Sequence, residues 1–213
     1  MKECCYLCGS KNPATRDHIP PRGFFPPPRP SDLITVPCCD SCNAAFSPDD
    51  EYFRLVLSSL IGRSPAGVKI WEDRVIPRSL KRLPADVNAI LRSAKDVLLQ
   101  TEAGPLEAVS FEIDQLRVER YAVRLTKGLL THYYPSYDYS SCSFDVRFVS
   151  LKSENLDLLA PYRDMLRFEE KGDRVFRYRF GLTDTKKSGL WMLTFYDAVL
   201  VLVFHRKRSK APK

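Results

Sequence analysis

The chain has 213 residues, 44% of them hydrophobic and 28% charged, proportions of a folded globular protein that exclude disordered, collagen-like and coiled-coil chains. Its longest apolar run, about Leu190 to Phe204 and broken by Asp197, is too short for the roughly 20 residues of a bilayer-spanning helix, and the start MKECCYLC has no secretory signal, so a cytoplasmic protein without membrane contact is expected. Lys and Arg number 33 against 26 Asp and Glu, and the net charge of +7 favours a polyanionic partner, nucleic acid first.

In chain order, residues 1–46 read as a loop-and-knuckle module, because prolines at 13, 20, 21, 26, 27, 28, 30 and 37 forbid a long helix. FFPPPRPSD reads as an extended polyproline-like excursion and LITVP as one short strand. Ser47-Pro48-Asp49-Asp50-Glu51 has the signature of a helix start, with a cap, a proline at the first helical position and acids in the first turn, and the helix should run through YFRLVLSSLI. Gly62, Pro65 and Gly67 end it, which divides the chain into 1–62 and 63–213. The first part carries a charge of −1 and the second +8.

Beyond the boundary, VKIWEDRVIPRSLKRLP reads as irregular and basic. A helical stripe at Val87, Ile90, Leu91, Ala94, Val97 and Leu98 predicts a helix over 86–100, and a second is predicted over 116–133. FDVRFVSL, RVFRYRFGL and LWMLTFYDAVLVLVFH read as strands of an antiparallel sheet, followed by a basic disordered tail over 205–213. The fold class is therefore α+β.

Six of the seven cysteines fall within the first 42 residues, as Cys5-x-x-Cys8 and Cys39-x-x-Cys42 with Cys4 and Cys38 beside them. Paired C-x-x-C knuckles in a cytosolic chain bring four sulfurs to one tetrahedral zinc at about 2.3 Å, so Cys5, Cys8, Cys39 and Cys42 are the expected ligands and Cys4 and Cys38 spares. Zinc would staple a module too small to hold a core of its own. Cys142 stands alone and reads as an apolar thiol. Within the 30 residues that the metal closes off lies Asp17-His18.

CYLCGSKNPATRDHIPPRGFF followed by SDLITVPCCDSCNAAFSPDDEYFR resembles the zinc-knuckle branch of the HNH endonuclease family over residues 4–54. The resemblance implies a ββα-metal module that hydrolyses phosphodiesters, DNA foremost; residues 63–213 read as a helix-plus-antiparallel-sheet domain behind it for positioning nucleic acid or for dimerisation. The resemblance also implies His18 as general base, Asp17 and Asn43 as ligands of a catalytic Mg²⁺ or Mn²⁺, and Asp32 at the middle position, where the family has an Asn. A histidine near pKa 7 and an oxygen-ligated cation suit that chemistry. Asp49 and Asp50 are either a further carboxylate for the ion or acids favoured at a helix N-terminus. Small HNH proteins also imply a mobile-element or phage-defence setting, with a homodimer or a defence partner protein.

Arg16, Arg22 and Arg29 flank Asp17-His18 and are candidates to hold the phosphate backbone. Arg117, Arg120, Arg124 and Lys127, spaced 3, 4 and 3, would share one helix face, either a phosphate-tracking stripe or a solvated face. Trp71 and Trp191 read as core aromatics, and His132 and His205 as residues without a chemical role. The alternative to a nuclease is a catalytically weakened, zinc-bound nucleic-acid or protein-binding module derived from one.

Overall fold

The computed structural model describes residues 3–60, 64–101, 104–149 and 160–208. Strand β1 (Thr15–Ile19), a 3-10 turn at Arg22–Phe24 and β2 (Ile34–Cys38) lead into helix α1 (Asp40–Ser59). Then come α2 (Pro65–Ile70), a π-helical stretch (Trp71–Ser79), α3 (Leu80–Arg82), α4 (Pro84–Ser93), the hairpin β3 (Lys95–Thr101) and β4 (Gly104–Ser110), and the long helix α5 (Gln115–Tyr133). Strand β5 (Cys142–Val149), α6 (Ala160–Met165), β6 (Arg167–Lys171), β7 (Phe176–Leu182), β8 (Ser188–Phe195) and β9 (Val199–Lys207) complete an α+β chain. β5 to β9 form one antiparallel sheet in the order β5-β9-β8-β7-β6, and β1-β2 and β3-β4 are separate two-stranded hairpins. No described helix is long and apolar enough to cross a membrane.

Helix α5 lies between the β1-β2 hairpin and the large sheet, touching β1, β2 and α1 on one side and β5 and β9 on the other. It buries residues on both sides, Tyr121, Leu125 and Leu129 among them. Its N-cap is Asp114, whose carboxylate accepts the N–H of Arg117 at 2.9 Å. At Gly128 the approach to β1 is so close that a Cβ would stand 2.5 Å from Cδ1 of Ile19, so a glycine is needed there. The buried residues of 1–62 and of 63–213 join in one hydrophobic cluster running from Cys5 to Val203.

The sheet explains the uninterrupted apolar runs near the C-terminus. Trp191, Leu193, Val201 and Val203 face the main core, while Met192, Leu200 and Leu202 form a second cluster on the opposite face with Val149, Leu166 and Leu190. Both faces of these strands are covered, so alternation is lost.

Several local expectations are corrected. Helix α1 begins at Asp40 with Cys39 as N-cap, so Pro48 sits inside it and Asp49 and Asp50 are mid-helix residues, not acids of a first turn. Proline has no N–H for the helical bond, yet the helix continues because Tyr52, Phe53, Leu55, Val56 and Leu57 bury its second half. The stripe over 86–100 is helix only to Ser93; β3 takes over from Lys95 and pairs with β4, Leu99 opposite Leu106. The basic segment after the boundary is helical throughout Pro65–Arg82. The excursion after Arg22 is anchored, because Phe24 and Phe25 are buried and the Tyr196 hydroxyl donates to the Phe24 carbonyl at 2.8 Å. β9 continues to Lys207, which places His205 in the sheet; residues 209–213 of the expected tail lie outside the described residues.

Candidate metal centre and hydrolytic site

Two turns and a helix end build the cysteine cluster. The first knuckle closes on itself, the Cys5 N–H donating to the Ser10 carbonyl at 2.8 Å and the Gly9 N–H to the Cys5 carbonyl at 2.9 Å. It is tied to β2 by the Tyr6 N–H and the Pro37 carbonyl at 3.0 Å. The second knuckle is the start of α1, with Cys39 at the N-cap and Cys42 in the first turn. Ligand atoms of Cys5, Cys8, Cys39 and Cys42 all lie within 4.8 Å of one another. The Cys8 and Cys39 sulfurs are 3.7 Å apart, too far for a disulfide and close to the edge of about 3.8 Å that four Zn–S bonds of about 2.3 Å give a tetrahedron. The donor set fits zinc.

The electrostatics suit a thiolate at Cys39, whereas burial raises the Cys42 thiol. Contact with the Ser41 hydroxyl, then the Cys42 backbone N–H, pulls the Cys39 thiol down to about 6, as the start of a helix does for cysteine generally. Cys38 behaves oppositely: it is fully buried in the core, and burial pushes its thiol up to about 12. Cys4 and Cys38 lie outside the cluster, so the spacing of two rather than three selects the ligands.

β1 carries Asp17 and His18 on opposite sides. Asp17, 4% exposed, faces α5, and His18 is half-exposed. Oδ2 of Asp17 accepts from the Tyr6 hydroxyl at 2.6 Å and from Nη2 of Arg124 at 2.6 Å. Nε of Arg124 reaches the Tyr6 hydroxyl oxygen at 3.1 Å, Nη1 donates to Oδ1 of Asp50, and the guanidinium lies 4.6 Å from the centre of the Phe46 ring. Arg124 is 1% exposed. Burial raises the Asp50 carboxyl to about 6 against the opposing pull of Arg124.

This network is the test of fit for a second, oxygen-ligated ion. Asp17, which the HNH resemblance offers to Mg²⁺ or Mn²⁺, and Asp50, the further carboxylate read beside it, close instead on a guanidinium that is itself buried. As arranged, they do not fit a divalent ion. Asn43 is half-exposed on the first turns of α1, its N–H bonded to the Cys39 carbonyl at 3.0 Å. Asp32 points elsewhere, accepting from Nζ of Lys171 at 2.5 Å, and that bond holds its carboxyl below the usual range. Burial, then the Arg22 charge, lowers the pKa of His18 against a smaller opposing effect of Asp17.

The arginine stripe on α5 is corrected. Arg117 is largely buried, its Nε on Asp49 at 2.5 Å and its Nη1 on Asp86 at 3.0 Å. Arg124 is buried as described, so neither of these is available to a phosphate backbone. Arg120 is exposed but pairs with Asp49 at 3.3 Å, and Lys127 sits 5.6 Å over the Phe144 ring. The helix face turns toward α1, whose acids it meets. Arg16 bonds Thr35 and pairs with Glu3 at 3.2 Å, whereas Arg22 is exposed beside His18. Tyr6 and Phe46 escaped sequence reasoning; the one usable signal was an aromatic residue between the ligands of a knuckle. His205 is fully buried, accepting at Nδ1 from Nε1 of Trp191 at 3.2 Å.

No protein-family model, curated protein or solved structure matches the chain.

Proposed function

We propose that the chain is a zinc-stapled phosphodiester hydrolase of the HNH type acting on nucleic acid, most naturally DNA, with His18 as general base. The observation that carries this reading is His18 itself. It stands half-exposed on a hairpin that runs through a cysteine knuckle into α1, and burial and Arg22 keep its imidazole in the neutral form that a base needs. The imidazole takes the proton of a water as its oxygen attacks phosphorus; the P–O bond to the leaving oxygen breaks, and that oxygen is protonated by solvent. Zinc at Cys5, Cys8, Cys39 and Cys42 holds both ends of the module and takes no part in the step. A divalent ion would draw on Asp17, Asn43 and Asp50, but Arg124 holds Asp17 and Asp50.

A second reading, a nucleic-acid-binding module of HNH ancestry that no longer cleaves, is favoured by that same pair of acids closed on Arg124. Incubation of plasmid, single-stranded DNA and RNA with the protein and with His18→Ala, each with Mg²⁺, with Mn²⁺ and with a chelator, separates the two. Loss of cleavage on the order of 10²–10⁴-fold in His18→Ala supports the hydrolase. Equal cleavage by both proteins removes His18 from the chemistry, and binding without cleavage under every condition selects the second reading.

A further inference from the structure

Beside His18 the structure gathers positive charge from three separate parts of the chain. Arg22 opens the 3-10 turn that follows β1. Arg29, from the proline-rich excursion, folds back so that its Nε donates to the Arg22 carbonyl at 3.2 Å. Arg74 belongs to the π-helical stretch. Both the turn and this stretch are seated on the same part of α1. Gly23 lies so close to Arg54 that a Cβ would meet Nη1 at 2.4 Å, and Ser79, five residues and one π-turn after Arg74, donates to Oε1 of Glu51 at 3.0 Å.

The acid at that place is already claimed. Glu51 takes Arg54 at 3.4 Å, Arg82 at 3.7 Å and the Ser79 hydroxyl. Among the described residues no carboxylate pairs with Arg22, Arg29 or Arg74. Burial depresses the pKa of Arg29, and the nearby charges of Arg74 and Arg22 add to it in the same direction. Some surface arginines elsewhere, Arg147, Arg163 and Arg167, each pair with a neighbouring acid. Crowding three guanidiniums costs free energy through mutual repulsion, and an anion relieves it.

We propose that Arg22, Arg29 and Arg74 form one binding site for backbone phosphate of nucleic acid beside His18. Planar guanidiniums from different directions grip a phosphate through paired N–H···O bonds, which fixes the strand in register without reading its sequence. The proposal deepens the hydrolase reading and rests on it for the role of the site, which is to present phosphorus to the His18 base; the binding itself stands apart from cleavage. Arg22, Arg29 and Arg74 are positioning residues.

The test is fluorescence-anisotropy binding of a labelled DNA oligonucleotide to the full-length, zinc-loaded chain over a range of salt. Arg29→Gln and Arg74→Gln, singly and together, are compared with Arg147→Gln, which removes the same charge from the far edge strand. The double variant is expected to bind on the order of tenfold or more weakly at fixed salt and to lose about two units of the log–log salt slope, with Arg147→Gln close to the parent. Both single variants should keep or raise the melting temperature, since repulsion is relieved. Unchanged binding in the double variant overturns the site, and so does a melting temperature lowered by several degrees, which would make these arginines supports of the fold. Inorganic phosphate is the competitor for the other source of the same chemistry; displacement of the oligonucleotide by equal concentrations of phosphate overturns a nucleic-acid site. Arginine-dependent binding with no cleavage by the parent protein sinks only the hydrolase reading, whereas intact cleavage and binding in Arg29→Gln/Arg74→Gln sinks only this site.

Discussion

The guanidinium of Arg124 meets the carboxylate of Asp17 at 2.6 Å in an interior where the two side chains are 1% and 5% exposed. The pair crosses from the hairpin that carries His18 to the helix at the centre of the fold. Its geometry follows from two periodicities. Asp17 and Ile19 lie two residues apart on one side of β1, Arg124 and Gly128 four apart on one side of α5, and the glycine lets the helix come down onto Ile19 so that the arginine reaches the acid. Breaking such a pair strands a buried charge. Arg124→Met should therefore destabilise the chain by about 3–5 kcal/mol, read as a lower denaturation midpoint. Asp17→Asn, which keeps acceptors for Tyr6 and Arg124, should be milder. Manganese titration followed by electron paramagnetic resonance should show no tight site that Asp17→Asn abolishes; a stoichiometric site lost in that variant would return Asp17 to metal ligation.

Zinc should be present at one equivalent, and its removal should destabilise the chain as a whole. The knuckle is wired into the common core, with Cys5 buried, the Tyr139 hydroxyl donating to the Tyr6 carbonyl at 2.5 Å and Tyr6 bonded to Asp17. Metal sites of this kind supply on the order of 10 kcal/mol to folding. Chelation is thus expected to lower a single cooperative transition rather than to melt residues 1–62 alone, and calorimetry with and without chelator reports which occurs. Cys39→Ser should behave as the chelated protein, while Cys4→Ser should retain its zinc.

These two centres also mark how far the residues could be read in advance. The clustering of Cys5, Cys8, Cys39 and Cys42 was legible because a tetrahedral metal site asks for a local spacing, two residues between paired sulfurs, that the chain displays openly. The large sheet was legible in its β-branched and aromatic runs, and α5 in its apolar stripe. Arg124 was not, since spacing shows only that Arg117, Arg120, Arg124 and Lys127 share a face and cannot say whether the face meets solvent or the acids of α1. The change from α4 to β3 was hidden for a related reason: Val97 and Leu98 satisfy a helical stripe as well as a strand, and pairing with β4 decides. Pro48 misled because helix-start chemistry at Ser47-Pro48 is outweighed by a start at Cys39, within the cysteine cluster, and a buried second half.

Asp32 should be dispensable. Its carboxylate is bonded to Lys171 while its own side chain is 65% exposed, and exposed pairs contribute about 0–1 kcal/mol. Asp32→Asn and Asp32→Ala are both expected to leave the melting temperature within a few degrees of the parent and any cleavage rate within about twofold. Abolished cleavage in either variant, at unchanged stability, would place a working group there.

The last expectation concerns pH. His205 is buried at 1% exposure, accepts from Trp191 at Nδ1 and has the Tyr137 hydroxyl 3.1 Å from Nε2. A ring that accepts at Nδ1 is neutral and carries its proton at Nε2, so the Tyr137 oxygen is the acceptor of that N–H. Burial, with a lesser contribution from Lys207, lowers its pKa to about 4, whereas in the unfolded chain it titrates near the usual 6.5. The folded state therefore resists a proton that the unfolded state accepts. The sign follows: the contribution of His205 to stability is complete above about pH 6.5, declines as the pH falls, and is exhausted below about pH 4, a total on the order of 3 kcal/mol for a shift of this size. Denaturant midpoints measured between pH 7.5 and 4 should fall more steeply for the parent than for His205→Gln. The glutamine variant, lacking a titratable ring but able to keep a bond to Trp191 or Tyr137, starts less stable at pH 7.5, and its curve should approach that of the parent at the acid end. Parallel curves for the two proteins would mean that His205 takes up its proton without cost in the folded sheet.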